Sequence, residues 1–296
     1  MERAERLLQA GLQRSEQARA NHALVPLATD LLSLPEVEPF VVRRLLSATP
    51  KHLRASGPRP NPFLPWDPRL EVSKLGRSHV VLLNKYPVQP GHLLLITQQW
   101  QPQSGWLQSS DWRAVAEMDA DTGGLWFFNS SAAAGASQPH RHLQLLPRQA
   151  DASSCPLAER ILAQLDRPQP CWSWQHAISR RRIQPAVAGS GASERARELE
   201  QLYHDHARFL GLGSPGHDPQ PRHPYNLLFT DHWLMTVRRQ REHCAGFSVN
   251  ALGFAGYLLA TEGSDLGWLM QQGPWQLLRS VAAPTSGAPP ATSQPE

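Results

Sequence analysis

Two histidines and a glutamine recur at every second position in the segment GASQPHRHLQLLP, residues 135–147. In a β-strand this spacing places His140, His142 and Gln144 on one face, and the intervening arginine and leucines on the other. A neutral imidazole carries a nitrogen lone pair that can act as a nucleophile, provided that an acceptor holds the other ring N–H and fixes the tautomer. Because a neighbouring backbone carbonyl can be that acceptor, the motif does not need an Asp or a Glu.

Three kinds of site fit a His-x-His pattern: polar residues that only hold the structure, a metal chelate, or a nucleophilic histidine with supporting groups. The third member of the row, Gln144, disfavours zinc, which prefers Cys, His and carboxylate ligands. The preceding GASQ stretch, residues 135–138, combines small side chains with closely spaced backbone N–H groups, as in loops that hold phosphate oxygens. A polar strand face beside such a loop favours phosphorus chemistry.

Composition argues against several other classes of protein. The three cysteines, Cys155, Cys171 and Cys244, are widely spaced without a C-x-x-C pair, so we expect neither a disulfide framework nor a zinc site. No apolar run approaches 20 residues, and the charged N-terminus lacks the apolar stretch of a secretory signal, so we expect a cytoplasmic protein with no membrane partner. The formal net charge of +4 is small for 296 residues, and nucleic-acid binding is not implied.

The segments around the motif predict an α+β protein with an antiparallel sheet. Residues 78–97 contain two β-prone apolar runs around a turn-rich loop, which indicates a hairpin. Further strands are predicted at 124–129, at 140–146 and, as a pair, within 224–237. Helices are predicted at 2–20, 156–165, 193–211 and 249–260. The sheet must therefore position the polar row, and the helices must cover it.

Two further patterns are predicted to be structural. The YHDH segment, residues 203–206, looks like a metal site, but in a helix its two histidines are two positions apart and diverge. Residues 211–216 match G-x-G-x-x-G, yet they follow a helix instead of a strand, so we predict a loop and not a dinucleotide site.

Several motifs in order along the chain carry a family resemblance. The QPHRHLQLLP segment resembles the His-x-His-x-Gln signature of the nucleotidyltransferase branch of the histidine-triad superfamily, and NKYPVQPGHLLLIT resembles the strand pair upstream of it. The segments NPFLPWDPRL, FFNSSAAAGASQ, YNLLFTDHWLMTV and VNALGFAGYLLA are similar to those of the ATP adenylyltransferases, or Ap4A phosphorylases, within that branch. The resemblance spans about residues 35–262 and implies a histidine-triad-like α+β fold, with an antiparallel sheet as its core and flanking helices.

The resemblance also implies roles for individual residues. His142 would be the nucleophile that becomes adenylylated, supported by His140, and Gln144 would bind an oxygen of the α-phosphate. The nucleotide and its phosphates would contact Asn84, Lys85, Asn129, Gly135, Ala136, Ser137 and Gln138. The other end of the substrate would contact Leu228, Phe229, Thr230, Met235 and Arg239. Lys51 matches an upstream substrate lysine, and Ala136, which replaces an expected hydroxyl residue, would offer only its backbone N–H.

The implied reaction is phosphorolysis of Ap4A to ATP and ADP through an AMP-histidine, with exchange between ADP and sulfate or phosphate as a related activity. Mg²⁺ or another divalent cation would accompany the polyphosphate, with no metal site built from protein ligands. The alternatives are a hexose-1-phosphate uridylyltransferase and a non-catalytic nucleotide sensor. We predict three regions: a helical segment at 1–34, the catalytic domain at 35–262 with a helical and loop insertion at 148–222, and a disordered tail at 281–296.

Overall fold

An eight-stranded sheet lies at the centre of the structure, a computed structural model that describes residues 5–47, 61–148, 154–167, 172–182 and 191–285. In chain order the strands are β1 (Thr29–Leu31), β2 (Val41–Leu45), β3 (Glu71–Leu75), β4 (His79–Leu83), β5 (Leu93–Thr97), β6 (Gly124–Asn129), β7 (His142–Pro147), β8 (His176–Arg180), β9 (Tyr225–Phe229), β10 (Trp233–Arg238), β11 (His243–Cys244), β12 (Phe247–Ser248) and β13 (Tyr257–Ala260). The helices are α1 (Arg6–Ala20), α2 (Ser109–Thr122), α3 (Ala158–Leu165), α4 (Gly191–Phe209), α5 (Ala251–Ala255), α6 (Leu266–Gln272) and α7 (Pro274–Val281).

The large sheet has the order β3-β4-β5-β7-β6-β9-β10-β8, and all of its paired neighbours are antiparallel. The register pairs Ile96 with His142 and Leu94 with Gln144, so these four side chains share one face. The central strands β4, β5 and β9 are buried along their whole length, as expected for continuous apolar runs covered on both faces.

Two apolar layers cover the sheet. Helices α1, α2 and α4 pack on one face around residues such as Trp112 and Trp126. On the other face, the face of Gln144, a second core joins Phe127 and Leu228 to α3, α5, α6 and α7. A small sheet of order β1-β2-β13 borders this second core through Val42 and Leu258.

The predicted antiparallel α+β architecture is confirmed, with one local error. The hairpin in 78–97, the strands at 124–129 and 140–146, and the pair in 224–237 all form, as β4 to β7, β9 and β10. The predicted helix at 249–260 is wrong in its second half, because Gly256 adopts φ +102° and ends α5. Glycine readily takes this left-handed conformation, and the chain then continues as β13, parallel to β2.

The predicted regional boundaries differ from the packing. The segment 148–222 is not a separate insertion, because its strand β8 pairs with β10 at the edge of the main sheet. Beyond residue 262, α6 and α7 contribute Leu269 and Leu277 to the second core. The predicted disordered tail begins too early, since Val281, Ala282 and Ala283 are buried; residues 286–296 lie outside the described residues. In the described part of the chain, no helix has the length and apolar character needed to cross a bilayer.

Candidate active site

His142 is the first residue of β7, and its ring is fixed by its own backbone neighbourhood. Its Nδ1 donates to the carbonyl oxygen of His140 at 2.8 Å, so the free lone pair is on Nε2. Burial lowers the pKa of His142 to about 4, which keeps the imidazole neutral at physiological pH. Among the described residues, Nε2 has no hydrogen-bond partner. The ring is therefore a neutral imidazole with a defined tautomer, as the sequence predicted from chemistry alone.

Gln103 holds the backbone of His142 from both sides. Its Oε1 accepts the N–H of His142 at 2.8 Å, and its Nε2 donates to the carbonyl oxygens of His142 at 3.2 Å and Asn129 at 2.7 Å. Gln103 is 3% exposed, so these hydrogen bonds are protected from water. The amide thus fixes the position from which the His142 ring projects and ties the start of β7 to the end of β6.

Gln144 is oriented by a chain of hydrogen bonds that starts at Asn84. The Asn84 Nδ2 donates to Nδ1 of His92 at 3.1 Å, and Nε2 of His92 donates to Oε1 of Gln144 at 3.0 Å. Burial lowers the pKa of His92 to about 4, which favours this neutral form. The amide NH₂ group of Gln144 has no acceptor in the described part of the chain. It is available to donate to an anionic oxygen on the face that also carries His142.

His140 holds the loop before β7. Its Nε2 donates to the carbonyl oxygen of Thr97 at 2.8 Å, and its Nδ1 accepts from Asn61 at 3.0 Å. Both ring nitrogens are therefore engaged, and burial lowers the pKa of His140. Phe63 packs near both histidines, with ring centroids 5.7 Å from His140 and 5.4 Å from His142. In this geometry the part of His140 that acts on His142 is its backbone carbonyl.

The loop between β6 and β7 is folded tightly, and only part of it can donate to a ligand. The N–H groups of Gly135 and Ala136 are used inside the loop, by Ala132 and Ser131 respectively, which differs from their predicted role as free donors. The backbone N–H groups of Ser137 and Gln138 have no acceptor among the described residues.

Two further features concern the packing of this loop. Gln138 is 8% exposed, yet its side-chain Oε1 lacks a hydrogen-bond partner in the described part of the chain. Buried polar atoms are seldom left unpaired, so this oxygen is an exception. Gly135 has φ +84°, and a Cβ there would lie 2.6 Å from the Cβ of Asn250, so only glycine fits.

A buried polar cluster fixes the far side of the same loop. Asn226 donates 2.8 Å hydrogen bonds to Oδ1 of Asn129 and to the carbonyl oxygen of Ala134, and Asn129 Oδ1 also accepts the N–H of Ala251 at 2.8 Å. Asn129, predicted to contact the nucleotide, is 1% exposed and serves here as an acceptor for two neighbouring segments. Asn226 was not predicted from the sequence, because it belongs to no motif that points to a site.

Arg239 was predicted to contact substrate, but the structure uses all of its donors internally. A guanidinium has five N–H donors. Their acceptors are the carbonyl oxygens of Ala134, Arg241, Val249 and Val281 and the side chain of Asn226. Arg239 also lies over the ring of Phe254, 5.3 Å from its centroid, and burial lowers its pKa to about 9. It therefore ties four segments together and has no N–H left for a phosphate.

The other residues predicted at the far end of the substrate are not gathered at one surface. Leu228 and Met235 face the same side as Gln144, but both are fully buried in the second core. Phe229 points to the opposite face and stacks on Trp126, with centroids 5.9 Å apart. Thr230 follows β9 at the end remote from Asn226. The alternation of faces and the length of β9 therefore separate the four side chains, and their contact with substrate stays a prediction.

Lys85 and Lys51 were both predicted to contact the substrate, and only Lys85 lies among the described residues. Lys85 is exposed after β4, and its Nζ lies 5.7 Å from the ring centroid of Tyr86. Its neighbour in sequence, Asn84, begins the hydrogen-bond chain to Gln144. Lys51 lies outside the described residues.

A buried ion cluster supports β7 from the opposite face. Arg141, between the two histidines, is 2% exposed and pairs with Asp111 of α2 at 3.3 Å. Asp111 also accepts from Nε2 of His79 at 2.8 Å. Arg141 thus anchors the start of β7 to helix α2, while His140 and His142 face the opposite side of the sheet.

Buried histidines make a pH dependence of stability predictable. Burial lowers the pKa of His92, His142 and His206 from 6.5 to about 4. Between these values the unfolded chain binds protons that the folded chain does not, so the free energy of unfolding should fall as the pH drops from 6.5 to 4. Each histidine contributes a slope of up to about 1.4 kcal/mol per pH unit. Denaturant titrations across this range measure the slope.

The control for this experiment uses a histidine outside the candidate site. The ring nitrogens of His206 form hydrogen bonds with the hydroxyl groups of Ser179 and Thr236. The substitution His206→Gln removes the titrating group and retains polar atoms for these hydroxyls. The variant should show a shallower dependence on pH than the parent. A stability that is constant between pH 6.5 and 4 would contradict the assignment of these buried histidines as neutral.

The described residues contain no group of three or more His, Cys, Asp or Glu side chains placed to hold a metal ion. The YHDH pair follows the structural prediction: His206 is buried against Ser179 and Thr236.

Comparison with known proteins gives matches along almost the whole chain. Residues 1–163 match the family of the Ap4A phosphorylase N-terminal domain, and residues 170–284 match the ATP adenylyltransferase C-terminal domain. Protein APA1 of Saccharomyces cerevisiae is 26% identical over 210 residues, which cover 62% of this chain and 61% of the yeast protein. Diadenosine 5',5'''-P1,P4-tetraphosphate phosphorylase 2 of the same yeast is 32% identical over 80 residues, 23% of this chain and 25% of that protein.

The fold also matches solved structures. The crystal structure of yeast Ap4A phosphorylase Apa2 in complex with Ap4A has a TM-score of 0.71 at 19% identity, covering 96% of this chain and 99% of that one. The Apa2 complex with AMP gives a TM-score of 0.70 at 21% identity, covering 95% and 98%. Because the first family match alone includes more than half of the chain, this protein belongs to the Ap4A phosphorylase family.

Proposed function

We propose that this chain catalyses the phosphorolysis of diadenosine tetraphosphate, Ap4A + phosphate → ATP + ADP. The observation that carries the proposal is the Nδ1–H of His142 donating to the His140 carbonyl, while Nε2 and, on the same strand face, the amide NH₂ of Gln144 have no partner among the described residues. Family membership supports the same reaction, and the yeast relatives are described as Ap4A phosphorylases.

In the first step, Nε2 of His142 attacks an α-phosphorus of Ap4A. A P–N bond forms, the P–O bond to the leaving group breaks, and ATP departs while AMP stays on the histidine. The amide of Gln144 and the free N–H groups of Ser137 and Gln138 are the donors available for the phosphate oxygens. The carbonyl of His140 stabilises the positive charge that develops on the ring, because its oxygen accepts the hydrogen bond from Nδ1–H throughout the step.

In the second step, an oxygen of inorganic phosphate attacks the same phosphorus. A P–O bond forms, the P–N bond breaks, and ADP leaves with the His142 lone pair restored. Phosphate is already ionised and needs no strong general base. The neutral amide of Gln144, which cannot shuttle a proton, is therefore sufficient for phosphate but poorly suited to activating water.

A divalent cation, for which we propose Mg²⁺, would enter with the polyphosphate. Its chemistry there would be to neutralise phosphate charge, and the non-bridging oxygens would be its ligands. In the described residues, Gln144, Ser137 and Gln138 would hold and orient the phosphates themselves.

The reaction is tested by supplying Ap4A, Mg²⁺ and ³²P-phosphate and separating the nucleotides. We expect ATP and ADP in equal amounts, with the label only in the β-phosphate of ADP, since the incoming phosphate attacks AMP-histidine. Unchanged Ap4A would contradict the proposal and favour a nucleotide sensor. A parallel incubation with UDP-glucose and galactose 1-phosphate tests the uridylyltransferase alternative, for which we expect no turnover.

Gln103 gives a further prediction for this reaction. Gln103→Leu should lower kcat by about 10²-fold with little change in KM, because the peptide of His142 loses its fixed position while the substrate contacts remain. Steady-state kinetics with Ap4A separate the two parameters. Gln103→Glu keeps the acceptor for the His142 N–H and should recover part of the rate.

A matched control is available nearby. Gln98 also donates its amide to backbone carbonyls, those of Gly76 and His79, but it does not contact His142. Gln98→Leu should leave kcat close to that of the parent. Equal losses in the two leucine variants would show that Gln103 acts only through general stability.

A further inference from the structure

A second cleft lies beside the edge strand β8, outside the candidate active site. It has a volume of about 490 Å³, within the range of sites that hold small molecules. The described residues that line it are all outside the hydrogen-bond network of His142, Gln144 and Gln103. In the sheet, β8 is four positions from β7, or about 19 Å at the usual spacing of roughly 4.8 Å between strands.

One wall of this cleft consists of three tryptophans with nearly parallel rings. Trp172 and Trp174 have ring centroids 5.4 Å apart at an interplanar angle of 14°, and Trp174 and Trp275 are 6.3 Å apart at 19°. Trp172 and Trp275 remain partly exposed, so their rings can contact a ligand. The planar ring of a ligand can stack parallel to these indoles. Such stacking accepts any nucleobase, because every base has a π-face.

The cleft is also lined by cationic side chains. Arg160 lies on α3, Arg167 follows its end, and Arg279 is in the last turn of α7. Their guanidinium groups form no ion pair or side-chain hydrogen bond within the described part of the chain, and no carboxylate lines the cleft. Unpaired arginines that converge on one cavity present the planar donor groups that bind phosphates in pairs of hydrogen bonds.

From the tryptophan wall and the unpaired arginines we infer that the cleft is a second binding site and that its ligand is a nucleoside polyphosphate. The tryptophan wall would stack the base, and the arginines would hold the phosphates. Glutamines 272 and 276 also line the cleft and offer amide groups to the sugar or the base edge. The inference concerns binding only and does not require that the chain perform phosphorolysis.

The test counts bound ligand by isothermal titration calorimetry. The probe is α,β-methylene ATP, whose P–C–P bridge prevents adenylyl transfer to His142. The double variant Arg160→Ala/Arg279→Ala should bind one equivalent fewer than the parent, or bind that equivalent at least about tenfold more weakly. Trp172→Ala should weaken the same equivalent. Hydrogen exchange should show ligand protection of α3 and α7 in the parent and its loss in the double variant.

The control is Arg208→Ala on α4, which removes an exposed arginine from the other layer of the fold. It should bind as many equivalents as the parent. The inference is overturned if the cleft variants keep every equivalent of the parent, or if inorganic tripolyphosphate binds the cleft as tightly as the nucleotide. It is also overturned if a single-stranded oligonucleotide occupies the cleft and α,β-methylene ATP does not. None of these outcomes depends on whether phosphorolysis itself is detected.

Discussion

His142→Ala is expected to lower the turnover of Ap4A by about three orders of magnitude or more, because the variant loses the nitrogen that would form the covalent bond to phosphorus. The variant should also take up no acid-labile label from adenine-labelled Ap4A. Both losses depend on one atom, Nε2, whose lone pair is presented by the hydrogen bond from Nδ1 to the backbone of His140. Quench kinetics and labelling of the intact protein measure them separately.

The neighbouring histidine is the control for this experiment. His140→Ala removes the ring that bonds to Thr97 and Asn61 but retains the carbonyl that orients His142. Its turnover should fall less, and labelling should persist. If labelling disappears equally in both variants, the division of roles between the two histidines is wrong. Partial rescue of His142→Gly by added imidazole would identify the missing group as the nucleophile.

The second large effect is expected in the fate of the AMP-histidine. Without phosphate, the parent should accept label from Ap4A and release it slowly as AMP; added phosphate should release it rapidly as ADP. The reason is that Gln144 can donate to a phosphate oxygen but cannot transfer a proton to activate water. Single-turnover experiments with and without phosphate measure the two release rates. Rapid formation of AMP regardless of phosphate would indicate a hydrolase and overturn this role of Gln144.

Gln144→Leu should lower the rate of adenylyl transfer by about 10²- to 10³-fold, the usual loss for one donor to a developing oxyanion. The companion variant is His92→Gln, which retains a donor for Oε1 of Gln144 and keeps the charge neutral. The loss of rate in His92→Gln should be smaller than in Gln144→Leu, since this substitution disturbs only the orientation of the Gln144 amide. If the Gln144→Leu variant transfers the adenylyl group at the rate of the parent, Gln144 has no role in the chemical step.

The polar row of β7 could be predicted from sequence because its periodicity and its chemistry agree. Alternation placed the histidines and Gln144 opposite the leucines, and the need for a tautomer-fixing acceptor predicted the backbone bond that His142 makes. Gln103 could not be found in this way. It comes from a loop 39 residues upstream and acts through a backbone contact that leaves no pattern in the chain.

The predictions in the C-terminal half differ from the observed packing for a common physical reason. In β9 both faces are buried, so the apolar run YNLLF contains no alternation that could tell which of Leu228 and Phe229 faces the site. The internal hydrogen bonds of Arg239 could not be predicted, because the carbonyls that use its donors come from segments far apart in sequence. Ala282 and Ala283 were assigned to a disordered tail on composition, but a bridge to Arg239 and packing against α7 hold them.

The two family matches meet between residues 163 and 170, yet β6 from the first half pairs with β9 from the second in the middle of the sheet. On the ribosome, β6 is complete at residue 129 and must wait for β9, which begins at residue 225. At about 5 to 20 residues per second, this interval lasts roughly 5 to 20 s. During that time the nascent chain carries an open, apolar strand edge, which is the kind of surface that aggregates or recruits chaperones. Neither half should be soluble when expressed alone, and the two should be better tolerated when expressed together as a split pair.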